Sequence, residues 1–502
     1  MRYKSTRNSE LRQQASEVIV KGISEEGGLF LPESIPDISN TLDALAKLDY
    51  LSLAKRILSL YLSDFTEEEI SHCVNAAYSG GKFEGDQPVT LKETGSSGAY
   101  MLELWHGPTC AFKDMALQLL PHLLTTALKK QNKAQKALIL VATSGDTGKA
   151  ALEGFKDVKD TEVIVFYPED GVSPTQKLQM NTQEGNNVCV CAVKGNFDDT
   201  QTGIKTIFTD MEIKKLLDEN GYFFSSANSI NWGRLLPQIV YYIYSYLELY
   251  RTGKVKSFTD PVNFVVPTGN FGNILAAFFA KKMGLPVHKL ICASNANNVL
   301  TDFISTGVYD KRREFYATAS PSMDILISSN LERLIYMLSG EDSAVLSAWM
   351  NKLAEEGWYE VDGETMVRIK ELFFGDFCSD EETTRVIQKT YHNYEYLPDT
   401  HTAVAIGVYD KYLEKTDDQI PTVIASTASP YKFARHVLGA LTDDLPQDEF
   451  EIISRLEELT HEQPQKQIAA LKGKKEHFDM VIEREEMPAF VKKQLAGMKG
   501  KA

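Results

Sequence analysis

The chain reads as an α/β protein with a largely parallel sheet, on three observations. First, continuous apolar runs recur along it: 137–142, 161–167, 188–193, 261–266, 288–293 and 421–425. Such runs are expected of strands covered on both faces. Second, helical patterns separate most of them, at 148–158, 200–217, 230–251 and 274–283. Strand and helix in alternation give βαβ units. Third, several runs end in loops rich in glycine, hydroxyls and amides, where open α/β sheets bind ligands.

In chain order, residues 1 to about 95 form an expected N-terminal domain. Gly27-Gly28 leads into Leu29-Phe30-Leu31-Pro32, and helical patterns follow at 42–62 and 66–77. A turn at Gly80-Gly81 precedes short strand candidates up to Tyr100. The α/β core is expected over 96–297 and 399–440. Between them, 298–398 is charged, mostly helical by pattern and without a glycine loop, and reads as a helical insertion. The tail, 441–502, is amphipathic with Pro464 and Pro488 as breakers, and is expected to pack as peripheral helices.

Composition narrows the function. A chain of 502 residues with 43% hydrophobic content can fill two or three cores. Its net charge of −16 is spread along the chain, which argues against nucleic acid or anionic membranes as partners. Six cysteines (73, 110, 189, 191, 292 and 378) show no zinc-ligand spacing, so no metal is expected. The start has no apolar h-region, Glu10 and Glu17 interrupt its basic residues, and no run reaches membrane-span length. A cytoplasmic protein is the expectation.

One lysine stands out. Lys113 lies among Ala111, Phe112, Met115, Ala116 and Leu117. A buried unpaired ammonium costs several kcal/mol, so this lysine must be paired, deprotonated or covalently modified. His106-Gly107-Pro108-Thr109 reads as a shaped turn before it, and Asp114 suits the first turn of a helix after it. Pro121 should kink or end that helix early. A lysine so placed could form a Schiff base with an aldehyde such as pyridoxal phosphate, or be salt-bridged at a helix start.

Four loops could hold anions. Thr143-Ser-Gly-Asp-Thr-Gly148 joins a strand to a helix without the spacing of a Walker loop. Thr268-Gly-Asn-Phe-Gly-Asn273 suits a phosphate better than a plain connector. Ala425-Ser-Thr-Ala-Ser-Pro430 could present the Thr427 hydroxyl at a strand end. Asn228-Ser-Ile-Asn-Trp-Gly-Arg234 opens a long helix, and an arginine in that first turn opposes the helix dipole. Either a phosphate or a nearby carboxylate would compensate it.

Together HGPTxAFKD (106–114), TSGDTG (143–148), NSINWGR (228–234), PTGNFGN (267–273) and STASPxKF (426–433) resemble the threonine synthase family, in its longer-chain branch. Tyr3-x-Ser-Thr-Arg7 and Gly27-Gly28-Leu29-Phe30 resemble it too. The resemblance implies a fold-type-II pyridoxal-phosphate enzyme with two open, mostly parallel sheets, the smaller lobe roughly 115–230. It implies a carbon–oxygen lyase that converts O-phospho-L-homoserine and water to L-threonine and phosphate, acting as monomer or homodimer.

By position, Lys113 would be the internal Schiff-base lysine. Gly269, Asn270, Phe271, Gly272 and Asn273 would cradle the cofactor phosphate, and Thr427 would hydrogen-bond the pyridine nitrogen. Ser144, Gly145, Asp146 and Thr147 would lie over the cofactor and meet the substrate, with Asn231 and Arg234 completing the substrate site. This chain departs from the family pattern at Ser429, where histidine is frequent, and at Thr400, although the neighbouring His401 remains. A related phospho-lyase or dehydratase giving a 2-keto acid and ammonia is the alternative within the fold. A non-catalytic relative is the alternative outside it.

Overall fold

A computed structural model describes residues 1–94 and 99–498. The chain begins with a small antiparallel sheet of β1 (Tyr3–Ser5), β2 (Asn8–Gln13) and β3 (Phe30–Pro32), in the order β2-β1-β3. Helices Tyr50–Tyr61 and Glu67–Tyr78 follow. The first is capped by Asp49, which accepts from the Ser52 amide, and the second by a Thr66/Glu69 capping box. The first packs on helix Trp232–Arg251, whose Trp232 is wholly buried against Tyr3, Tyr61 and Phe279, and the second packs on the first and on helix Leu120–Lys130. That long helix is the spine between the N-terminal unit and the core.

Next come β4 (Thr90–Glu93) and β5 (Ala99–Glu103), then β6 (Lys136–Ala142), β7 (Thr161–Pro168), β8 (Val188–Val193) and β9 (Tyr222–Ser225). Further on are β10 (Val262–Pro267), β11 (Val287–Ser294), the antiparallel pair β12 (Val308–Asp310) and β13 (Trp358–Glu360), β14 (Phe373–Phe377), β15 (Thr422–Ser426) and β16 (Val481–Ile482). The large sheet has the order β14-β11-β10-β15-β5-β4 and is parallel except for β4. The small sheet has the order β16-β8-β7-β6-β9, all parallel. The α/β class and the paired parallel sheets are therefore as expected. Among the described residues no helix is long and apolar enough to cross a membrane.

Several elements differ in detail from the sequence reading. The helix after Lys113 lasts one turn, Asp114–Leu117, and a second starts at Leu120 with Pro121 in its first turn. There proline loses no hydrogen bond, because first-turn amides have no intrahelical partner. The pattern at 200–217 is two helices, Phe197–Thr209 and Met211–Glu219, because Asp210 turns the backbone extended and caps the second through the Glu212 and Ile213 amides. Residues 298–398 are not helical throughout: β12 and β13 pair there, and β14 extends the large sheet beside β11. Phe373-Phe-Gly-Asp-Phe377 runs straight on from helix Gly363–Leu372, so periodicity alone does not separate them. The tail also gives the small sheet its edge strand, β16, and helix Met487–Met498 packs Phe490 against Phe166.

Candidate active site

Beyond β5 the chain turns sharply. The Asp114 carboxylate accepts from the Thr109 amide (2.8 Å) and hydroxyl (2.7 Å), which closes the turn over Cys110, itself left-handed at φ 58. Burial pushes Asp114 up to about 6, against the lowering effect of the Thr109 bonds. The turn is stitched to the loop after β15: the Phe112 amide donates to Thr427 O (2.8 Å) and the Ser429 amide to Cys110 O (3.0 Å). Main-chain bonds thus fix Lys113 relative to Thr427.

Lys113 is 8% exposed. Its Nζ donates to Ser322 Oγ at 3.1 Å and lies 3.6 Å from Asp146 Oδ2. Burial pulls its ammonium down to about 8; Asp146 opposes the shift, and Arg234 and Lys432 add to it. Burial would raise the Asp146 carboxyl, but the charges of Lys432 and Lys113 hold it well below the usual carboxylate range. Its Oδ1 is 2.7 Å from Lys432 Nζ and accepts from Gln176 Nε2 at 2.8 Å. A carboxylate that stays ionised thus faces a lysine that is readily deprotonated.

The loop carrying Asp146 follows β6. Thr143 Oγ1 accepts from the amides of Gly145 (3.0 Å) and Gly148 (2.8 Å), so Thr143 shapes the loop from within. Gly145 sits at φ 118, and a Cβ there would come within 2.4 Å of the Gln176 side chain, so only glycine serves. Ser144 and Thr147 are half-buried.

Arg234 is 5% exposed; its Nη2 reaches Thr147 Oγ1 at 3.4 Å and its Nη1 donates to Ala227 O. Among the described residues no carboxylate lies within ion-pair distance of it. Burial pulls the guanidinium down to about 10, still charged at neutral pH. Asn231 has a different role from Arg234. It caps helix Trp232–Arg251, accepting from the Gly233 amide at 2.9 Å and donating to Ile19 O at 3.0 Å. Both ends of its amide hold the loop, so it supports Arg234 rather than presenting a group to a ligand.

The loop after β10 opens helix Gly272–Lys282, which no side chain caps. Its N-cap is Phe271 at φ 61, a left-handed phenylalanine packed against Phe373. Gly269 O accepts from Ser328 Oγ (2.7 Å), and Asn270 O accepts from the Asn330 amide and from Asn330 Nδ2. Asn273 Oδ1 accepts from Tyr242 OH at 2.6 Å, while its Nδ2 is buried without a partner. An uncapped helix start and an orphaned buried N–H are what a phosphate would satisfy. With Lys113 within reach and the Thr427 hydroxyl taken by no group among the described residues, the residues present fit pyridoxal phosphate.

Two residues of this neighbourhood, Ser322 and Lys432, escaped the sequence reading, and a third, His401, entered it only as the neighbour of Thr400. Ser322 comes from the 298–398 region and touches both Lys113 and Asp146 (3.3 Å to Oδ2). His401 accepts the Ser322 amide on Nε2 at 3.2 Å and bonds Asp399 Oδ2 through Nδ1 at 2.7 Å. Lys432, fully buried, donates to Thr109 O at 2.8 Å besides its pair with Asp146. Lys432 carried a signal, since Tyr431 and Phe433 flank it as Phe112 and Met115 surround Lys113. Ser429 instead caps the turn at 430–433, accepting from the Tyr431 amide and donating to Gln465.

Comparison with known proteins supplies a context for this geometry. Residues 2–78 match a family model described as threonine synthase N terminus, 85–364 one for pyridoxal-phosphate dependent enzymes, and 402–488 one for the threonine synthase C-terminal part. Threonine synthase of Schizosaccharomyces pombe is 39% identical over 470 residues, with 88% of this chain and 89% of that protein covered. Human threonine synthase-like 1 is 41% identical over 437 residues, covering 85% of this chain, but this chain spans only 58% of that relative's length. A crystal structure of pyridoxal-phosphate-bound threonine synthase from Brucella melitensis superposes with a TM-score of 0.85 at 33% identity, covering 98% of this chain and 99% of the other.

Proposed function

The chain belongs to the threonine synthase family of pyridoxal-phosphate-dependent enzymes, and we propose that it converts O-phospho-L-homoserine and water to L-threonine and inorganic phosphate. One observation supports this reading above the others. Arg234, a buried guanidinium without a carboxylate partner among the described residues, shares a site with Lys113, a lysine that burial pulls down to about 8. A plain dehydratase has no substrate phosphate for such a group to hold.

The reaction removes one proton from Cα and one from Cβ, expels the γ-phosphate, turns Cγ into a methyl group, adds hydroxide to Cβ and returns a proton to Cα. Neither carbon is acidic enough unaided; pyridoxal phosphate, when bound, supplies the electron sink. Lys113 would hold the cofactor and, once displaced by the substrate amine, carry protons between those carbons. A positioned base of this kind contributes typically ~10²–10⁴-fold. Gly269 to Asn273 would bind the cofactor phosphate, and Thr427 would offer a neutral hydroxyl to the ring nitrogen. Arg234, with Thr147 beside it and Ser144 in the same loop as Thr147, would hold the substrate phosphate until it leaves. Asp146, held below the usual carboxylate range by Lys432 and Lys113, would keep a compensating charge beside Lys113.

The test is turnover of O-phospho-L-homoserine with threonine and phosphate followed together. Equal amounts of both are expected. Phosphate accompanied only by 2-oxobutanoate and ammonia would overturn the reading in favour of a phospho-lyase.

A further inference from the structure

The geometry points to Ser322 and His401 as positioning residues for Lys113: His401 clamps the Ser322 main chain, and the Ser322 hydroxyl, oriented by Asp146, fixes the direction of the freed lysine amine. Ser322 belongs to a segment that reads in sequence as an insertion, yet it is braced by two elements of the large lobe, the end of β11 and helix Thr400–Thr416. On one side Asn295, just beyond β11, donates through Nδ2 to Ser320 Oγ (3.0 Å) and Asp324 Oδ1 (2.7 Å), and Thr318 Oγ1 reaches the same Asp324 oxygen at 2.7 Å. On the other, at the start of helix Thr400–Thr416, His401 Nε2 accepts the Ser322 amide at 3.2 Å.

The partners of His401 determine its form. A carboxylate oxygen on Nδ1 requires N–H there, and an incoming amide on Nε2 requires a lone pair there. The ring is therefore neutral and held in one tautomer, with its orientation set by Asp399 and by an edge contact to Phe433 at 4.8 Å.

The direction of the Ser322 bonds follows in the same way. Its hydroxyl proton goes to Asp146 Oδ2 (3.3 Å), so the oxygen is left to accept, and Lys113 Nζ donates to it at 3.1 Å. Losing a proton from Nζ does not abolish that bond, because an amine retains N–H. With one N–H pinned on Ser322, the amine lone pair is turned away from it. A base that is to serve two neighbouring carbons gains from a fixed lone pair, since misdirection by an ångström costs far more than basicity does.

The inference rests on the role proposed for Lys113, and its test separates the two. In the full chain freed of cofactor, Lys113 is labelled with trinitrobenzenesulfonate across the pH range and read by mass spectrometry. The charges around it are Asp146, Arg234 and Lys432, and none of these is altered. Ser322→Ala removes an acceptor of the ammonium, so Lys113 should label about threefold faster at neutral pH. His401→Leu should do the same, whereas Ser322→Thr and His401→Gln, which keep the hydroxyl and the acceptor, should stay close to wild type.

In the reconstituted enzyme Ser322→Ala should lower kcat about tenfold with KM within about twofold. Superposable labelling profiles for wild type and Ser322→Ala would overturn the inference whatever the turnover. So would a raised KM with kcat unchanged, which would make Ser322 a binding residue. Absence of threonine from the wild-type reaction would instead overturn the functional reading, while the labelling still decides on Ser322.

Discussion

Asp146 and Lys432 meet at 2.7 Å with side chains 3% and 0% exposed, an ion pair joining the loop after β6 in the small lobe to the turn after β15 in the large one. Breaking a buried pair by removing one partner strands the other charge, typically at a cost of ~3–5 kcal/mol. Lys432→Met should therefore lower stability by about that much and distort the loop carrying Asp146. The double variant Lys432→Met/Asp146→Leu should recover a large part of the loss. Urea unfolding of the four proteins in the cycle measures the coupling, and additive losses would show that the pair does not act as one unit.

Reaction of the chain with its cofactor should depend on pH through Lys113. Burial holds this lysine at about 8, and only the neutral amine attacks an aldehyde. Below that value the neutral fraction drops about tenfold per pH unit, so the visible band should form correspondingly more slowly; above it the rate should level off. Stopped-flow absorbance on the cofactor-free chain checks this. A rate still climbing steeply up to the ordinary lysine range would show that the amine is not perturbed.

Arg234 is expected to trade stability for function. Its guanidinium is buried without a carboxylate among the described residues, so Arg234→Met should unfold at the same or a higher denaturant concentration than wild type. The same change should raise KM for the phosphorylated substrate about 10–100-fold, the range of one lost charge-assisted contact. Unfolding curves and steady-state kinetics on the same preparation measure both. A destabilised variant with unchanged KM would make Arg234 structural.

Arg333, fully buried, ties three parts of the molecule together. It donates to Phe30 O at 2.8 Å, to Ile230 O at 2.6 Å and to Asn330 Oδ1, while the adjacent Glu332 pairs with Arg7 at 2.8 Å. An ammonium cannot reproduce this fork, so Arg333→Lys should cost about 2–4 kcal/mol. Thermal unfolding checks the figure, and a change below about 1 kcal/mol would show that the bonds are replaced by water.

The parts of this molecule legible in the sequence are those written in adjacent residues. Strands β6, β7, β8, β10, β11 and β15 show as apolar runs, whereas the four residues of β9 do not, and the glycine loops after β6 and β10 announce themselves by composition. Lys113 shows as a charge inside an apolar stretch. Ser322 does not, because Pro321-Ser322-Met323 has no local pattern and gains its place only from His401 and Asn295. The capping role of Asn231 is hidden for a complementary reason: an amide near an arginine in a loop looks the same whether it caps a helix or meets a ligand. β14 was hidden because it begins one residue after a helix ends and, at the sheet edge, contacts a single neighbouring strand.

The two residues of β16 bear on the order in which the molecule can be built. Strands β6 to β9 lie close together in the chain and can pair as soon as they are made, but β8 lacks its outer neighbour until Val481 and Ile482 arrive opposite Ala192 and Val193. The large sheet waits as well, since β5 cannot meet β15 before residue 422 is synthesised. A growing chain therefore carries an open, apolar strand edge for most of its time on the ribosome. Products that end between residues 433 and 480 should leave that edge uncovered and aggregate, although every residue of the proposed site is present in them.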